Sequence, residues 1–138
     1  MKKLFFILVI ALLSNQVMAF EVPDAIESAF EQKFPNAKKV KWEKEEDGNY
    51  EAEFILNDQE MSATFSPSAT LLETETELEI NELPQKVQDA FKSNYPTAKI
   101  LEAAKITMAD GTVYYETEAK INGKKTDVLF SPDGQLKK

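Results

Sequence analysis

The 138-residue sequence contains no cysteine and no histidine, and all 16 of its basic residues are lysines. Each absence removes a class of chemistry. Without cysteine there is none of the disulfide framework that small secreted domains often use in place of a large core, so burial alone must hold the fold. Without histidine the commonest general base and the commonest transition-metal ligand are both missing, which excludes Ser-His-Asp, Cys-His and zinc constellations. Without arginine there is no planar fork for bidentate phosphate recognition. The 24 acidic residues give a net charge of −8, which repels a polyanion, so a nucleic-acid partner is not expected.

There is one long apolar run, Leu4 to Leu13. It follows Lys2 and Lys3 and is broken by Ser14-Asn15-Gln16 before Val17-Met18-Ala19. A charged start, an apolar middle and small residues before a cut form the pattern of a signal peptide. A membrane anchor would need about 20 apolar residues. Residues 1–19 are therefore expected to be removed after Ala19, leaving a periplasmic or secreted chain that starts at Phe20 and does not insert in the membrane. Loss of Lys2 and Lys3 leaves 14 lysines against 24 acids, a net charge near −10.

Comparing the chain with itself exposes a repeat. Val22-Pro23 through Phe34-Pro35-Asn36-Ala37-Lys38 recurs as Leu83-Pro84 through Tyr95-Pro96-Thr97-Ala98-Lys99, an offset of 61 (Phe30 to Phe91). Further on the offset is 65 (Tyr50 to Tyr115), matching Tyr50-Glu51-Ala52-Glu53 to Tyr115-Glu116-Thr117-Glu118 and Phe65-Ser66-Pro67 to Phe130-Ser131-Pro132. Self-similarity of this kind points to duplication. Each copy opens with a helix of about twelve residues: Pro23 and Pro84 suit its first position, while Pro35 and Pro96 cannot continue it. Ile26, Ala29, Phe30 and Phe34 form one apolar stripe, and Val87, Ala90, Phe91 and Tyr95 repeat it.

After each helix the period falls from 3.6 to 2. Val40 and Trp42, then Tyr50, Ala52, Phe54 and Leu56, then Met61, Ala63 and Phe65 alternate with polar neighbours, as half-buried antiparallel strands do. Turn residues sit between them at Asp47-Gly48, Asn57-Asp58, Asp110-Gly111 and Asn122-Gly123. A fourth strand is expected from about Thr70 to Ile80, its C-terminal counterpart being cut short after Leu136. The expected fold is α+β: a tandem repeat of one helix followed by an antiparallel four-stranded meander, with repeats at 20–80 and 81–138. A unit of this size is marginal alone, so the two sheets should join or the two helices share one core, as one cooperative domain.

Leu83-Pro84, Val87, Ala90, Phe91, Tyr95-Pro96-Thr97-Ala98, Tyr115-Glu116-Thr117-Glu118, Asn122-Gly123 and Phe130-Ser131-Pro132-Asp133-Gly134 together resemble the bacterial PepSY-like proteins, which share the fold of the beta-lactamase inhibitor protein. The likeness covers nearly the whole chain after residue 19. It implies a helix-plus-antiparallel-sheet fold with one open sheet face, and a role in binding or inhibition without catalysis.

If the helices cover one face, alternation sends Lys41, Glu43, Glu51, Glu53, Tyr114, Glu116 and Glu118 to the other. These seven are the expected partner-binding residues, and the expected partner is another envelope or extracellular protein. Tyrosine among charges suits a recognition surface. Glu73, Glu75, Glu77 and Glu79 alternate along one strand about 7 Å apart; metal or small-ligand binding there is the alternative function. Carboxylates along a strand do not converge, so a solvated row facing lysines such as Lys124 and Lys125 is the favoured reading. Glu51 with Glu53, and Glu116 with Glu118, have the spacing of a glycosidase pair, but nothing in the sequence marks a buried acid of raised pKa. No catalytic, cofactor-binding or metal-ligating set is therefore assigned, and the protein is not expected to be an enzyme.

Overall fold

A computed structural model describes residues 20–137; the proposed signal peptide lies outside the described residues. Two ten-residue helices, α1 (Asp24–Lys33) and α2 (Gln85–Asn94), are each followed by strands: β1 (Lys38–Lys44), β2 (Tyr50–Leu56), β3 (Gln59–Phe65) and β4 (Leu71–Leu78), then β5 (Ile100–Met108), β6 (Val113–Ile121) and β7 (Lys124–Phe130). The two prolines sit at the N-cap, one position earlier than expected, where the Pro23 and Pro84 carbonyls accept from the amides of Ile26 and Val87 at 2.8 and 2.9 Å. Pro35 and Pro96 end both helices by leaving no amide donor to continue the ladder.

The seven strands of the described residues form one antiparallel sheet in the order β1-β2-β3-β4-β5-β6-β7. The sheets of the two repeats join, as one arm of the expectation has it, and the expectation of two four-stranded meanders needs one correction. The second helix is followed by three strands, and in place of a fourth the described chain makes an isolated bridge between Phe130 and Leu136. The other arm, two helices sharing one core, is not the one realised. Ile26, Phe30 and Phe34 pack on Tyr50, Ala52, Phe54, Ala63 and Phe65, whereas Val87 and Phe91 pack on Ala103, Ala119, Val128 and Phe130. The reason is length. A ten-residue helix runs about 15 Å, while seven strands span nearly twice that, so each helix covers its own half. Continuity comes from the β4–β5 ladder, which runs in register from Glu73↔Met108 to Leu78↔Ala103.

The turns follow local chemistry. Asn57 and Asp58, at φ 51° and 62°, and Asn122 and Gly123, at 49° and 79°, both adopt the left-handed pair that a two-residue hairpin requires. Gly134 has a tertiary duty as well: at φ +86°, a Cβ added there would lie 2.6 Å from the Lys86 carbonyl oxygen of α2. Gly134→Ala should therefore destabilise the protein by about 1 to 2 kcal/mol, measured as a lower urea midpoint, from backbone strain and forced separation of α2.

Candidate binding face

Tyr50, Ala52, Phe54 and Trp42 belong to the helix-side cluster, so the alternating Lys41, Glu43, Glu51 and Glu53 lie on the uncovered side of the sheet. Tyr115 and Ala119 do the same for Tyr114, Glu116 and Glu118. The seven residues do not form one cluster. Four sit on β1 and β2 and three on β6, four strand spacings or about 19 Å apart.

What joins them is a row the sequence reading missed. Register aligns Lys41 with Glu53, Glu53 with Ser62, Ser62 with Glu75, Glu75 with Ile106 and Ile106 with Tyr114, one line across six strands. Beside it run Glu43, Glu51, Thr64, Glu73 and Met108, and on the other flank Glu77, Ala104, Glu116 and Leu129. The centre is β4, whose glutamates were expected to be solvated and to face Lys124 and Lys125. Glu75 is instead only 2% exposed. As the middle strand, β4 has neighbours on both sides, and β7, which carries those lysines, is three strands away. Lys125 Nζ pairs with Glu118 Oε1 at 2.6 Å.

Glu51, Ser62, Glu75, Ala104, Ile106, Glu116 and Glu118 are all buried on this side, although the two helices pack on the opposite one. Side chains of adjoining rows therefore shield one another from water. The consequence is clearest at Glu51, whose pKa rises to about 7: burial is the largest cause, Glu45 adds a carboxyl–carboxyl hydrogen bond and like charge, Glu75 adds further repulsion, and the Ser62 hydroxyl opposes the shift. This overturns the expectation that no carboxylate here would be raised. Its signal, Glu45 at the end of the β1–β2 hairpin, lies six residues from Glu51 and is invisible to strand alternation. Burial and a hydrogen bond to Glu60 raise Glu77 in the same direction.

The Tyr114 end has different chemistry. Lys137 Nζ donates to its hydroxyl at 2.8 Å and lies 4.6 Å from the ring centre, holding an aromatic and a cation together at the margin of an acidic field. Among the described residues no three carboxylates converge as a metal site would require, and no helix is long and apolar enough to cross a membrane.

Comparison with known proteins places this architecture. A search of curated proteins finds no match. Solved structures that share the fold include three from Bacteroides. A BLIP-like protein from Bacteroides fragilis is 30% identical over 86% of this chain and 85% of its own, with a TM-score of 0.72. A DUF2874 family protein from Bacteroides uniformis is 21% identical over 84% and 86%, with a TM-score of 0.75. A protein assigned to the periplasm of Bacteroides eggerthii is 20% identical over 85% and 86%, also at 0.75. The model of the PepSY-like family, described as beta-lactamase-inhibitor-like, matches twice, at residues 12–72 and 48–138. With those matches spanning nearly the whole chain and the Bacteroides fragilis relative aligned along most of both sequences, the protein belongs to the beta-lactamase-inhibitor-like, PepSY-like family.

Proposed function

We propose that the protein is a non-enzymatic binding module of the bacterial envelope, periplasmic or secreted, that captures a cationic protein surface on the open face of its sheet. The observation carrying this reading is the row from Lys41 through Glu53, Ser62, Glu75 and Ile106 to Tyr114. It offers an acidic, partly desolvated centre, where an incoming Lys or Arg meets carboxylates already shielded from water, and an aromatic anchor at one end. A specific interface of about 800 Å² per partner fits on a face of this breadth. Location outside the cytoplasm is supported by the charged, apolar and small-residue pattern of residues 1–19 and by the related protein assigned to the periplasm. The inhibitor-like character of the family suits binding of a protein without turnover.

The test begins with capture of a partner from the envelope fraction and is decided by variants. Tyr114→Ala should weaken the isolated complex by about 1 to 1.5 kcal/mol, roughly tenfold, and Glu53→Gln should act mainly on the association rate, with the effect shrinking as salt rises. Undiminished affinity in a protein carrying both substitutions, with circular dichroism unchanged, would remove the open face as the binding surface.

A further inference from the structure

Among the described residues the outer edge of β1 pairs with no strand. A groove of about 580 Å³ between α1 and β1 is lined by Phe30, Phe34, Val40 and Trp42, with Glu27 and Glu31 also on its walls. A second cleft of about 570 Å³, lined by Phe20, Lys41, Trp42, Glu43, Lys44 and Glu53, adjoins the same strand. Both volumes lie within the roughly 300 to 1,000 Å³ of ligand clefts. Val40 is 38% exposed, unusual for a large apolar strand residue that faces a groove.

The chain contains its own picture of what such an edge accepts. At the 61-residue offset Val40 matches Leu101 and Trp42 matches Ala103, so β5 is the counterpart of β1. On β5 the corresponding edge is covered: β4 runs antiparallel along it, with Leu78 opposite Ala103 and Glu77 opposite Ala104, and Leu78 packs against the cluster under α2. Nothing among the described residues plays that part for β1.

We infer that the outer edge of β1 takes an extended segment of a partner protein as an added antiparallel strand, with an apolar side chain in the α1–β1 groove. Charge narrows the rest of the segment. A basic residue would meet Glu27 and Glu31 on the helix side, while the second cleft sets Lys41 and Lys44 beside Glu43 and Glu53 and so accepts either sign. Main-chain hydrogen bonds would supply affinity and the alternating pockets selectivity. A second copy of this chain fits less well: pairing Val40–Lys44 antiparallel about Trp42 would set Lys41 against Glu43, but the two-fold would bring Glu27 and Glu31 of both copies to one seam. The left-handed Lys39, at φ 54°, interrupts the register and confines pairing to Val40–Lys44, which guards the edge against indiscriminate strands. The α1–β1 groove lies on the helix side of the sheet, whereas Lys41, Glu43 and Glu53 of the second cleft also belong to the open face, so Val40 and Tyr114 are the residues that separate this inference from the open-face reading.

Trp42 is the one tryptophan of the chain and reports on the groove directly. The probe is a capped ten-residue peptide alternating leucine with glutamate and ending in lysine, titrated into the purified protein. A saturable change in Trp42 emission is expected, together with slowed amide exchange at Val40–Lys44. Val40→Asp should raise the dissociation constant at least tenfold, as should proline at alternate peptide positions, while Tyr114→Ala should leave it unchanged. The inference is overturned if emission does not saturate by about 1 mM peptide, if the proline peptide binds equally well, or if protection falls on β5 and β6 instead. It is equally overturned if sedimentation shows a dimer that Val40→Asp dissolves, since a second copy would then be the occupant.

Discussion

Phe30→Ala should lower the unfolding free energy by about 3 to 5 kcal/mol, the largest loss expected of any single side chain under α1. Phe30 is 4% exposed. Its ring lies 5.3 Å from Phe34, 5.3 Å from Trp42, 5.0 Å from Phe54 and 6.3 Å from Phe65, so truncation forfeits its own burial and leaves four rings around a void that none can fill without moving a strand. Because β4 and β5 are continuously paired, loss of the first cluster should be felt by the second. Urea unfolding followed by Trp42 emission, which reads the first half, and by far-ultraviolet circular dichroism, which reads the whole, should keep a common midpoint in the variant. Separate midpoints would show that the two clusters fold as independent units.

Between pH 5 and pH 8 the protein should lose about 2 kcal/mol of stability, and Glu51→Gln should abolish most of that loss. The sign follows from the direction of the shift. Folding raises the Glu51 carboxyl from 4.5 to about 7, so within that window the native state holds a proton that the unfolded chain has released, and stability falls as pH rises. Above the window the native state carries the full cost of an ionised, shielded carboxylate. A shift of this size would carry more than 2 kcal/mol if solvent were wholly excluded, and the smaller figure allows for screening at a partly solvated site. Glu77 is raised by burial and Glu60 and pulls the same way. Asp110 and Asp133 are lowered, mainly by hydrogen bonds with Thr112 and Ser131, and their contribution fades only below the window, as pH falls through their own titration. Glutamine keeps the shape of Glu51 and can still bond Ser62 and Glu45, so the variant should be more stable than the parent at pH 8 and equal to it at pH 5. Parallel profiles for the two proteins, measured by urea midpoint, would show that Glu51 ionises freely in the folded state. The same proton bears on the proposed function, since a protonated Glu51 removes one charge from the face that is to receive a cation.

The sequence by itself determined the parts governed by near neighbours. Proline at both ends bounded the helices to within a turn, 3.6-residue spacing marked Ile26, Phe30, Val87 and Phe91 as the buried stripe, and period-2 alternation separated Glu51 and Glu53 from Ala52 and Phe54. Asn57-Asp58 and Asn122-Gly123 declared their hairpins because few residue pairs tolerate two left-handed conformations in succession. What only the tertiary structure decided was which strand neighbours which. Alternation assigns a residue to a face but says nothing of how many strands flank it, so Glu73, Glu75 and Glu77 read as a solvated row until β4 proved to be the middle of seven. The burial of Glu75, the raised pKa of Glu51 and the line joining Lys41 to Tyr114 are products of cross-strand register, set by contacts between residues far apart in the chain. For the same reason the sequence could not show that the matching strands β1 and β5 differ in surroundings: β5 is sealed by β4, while among the described residues no strand lies beyond β1.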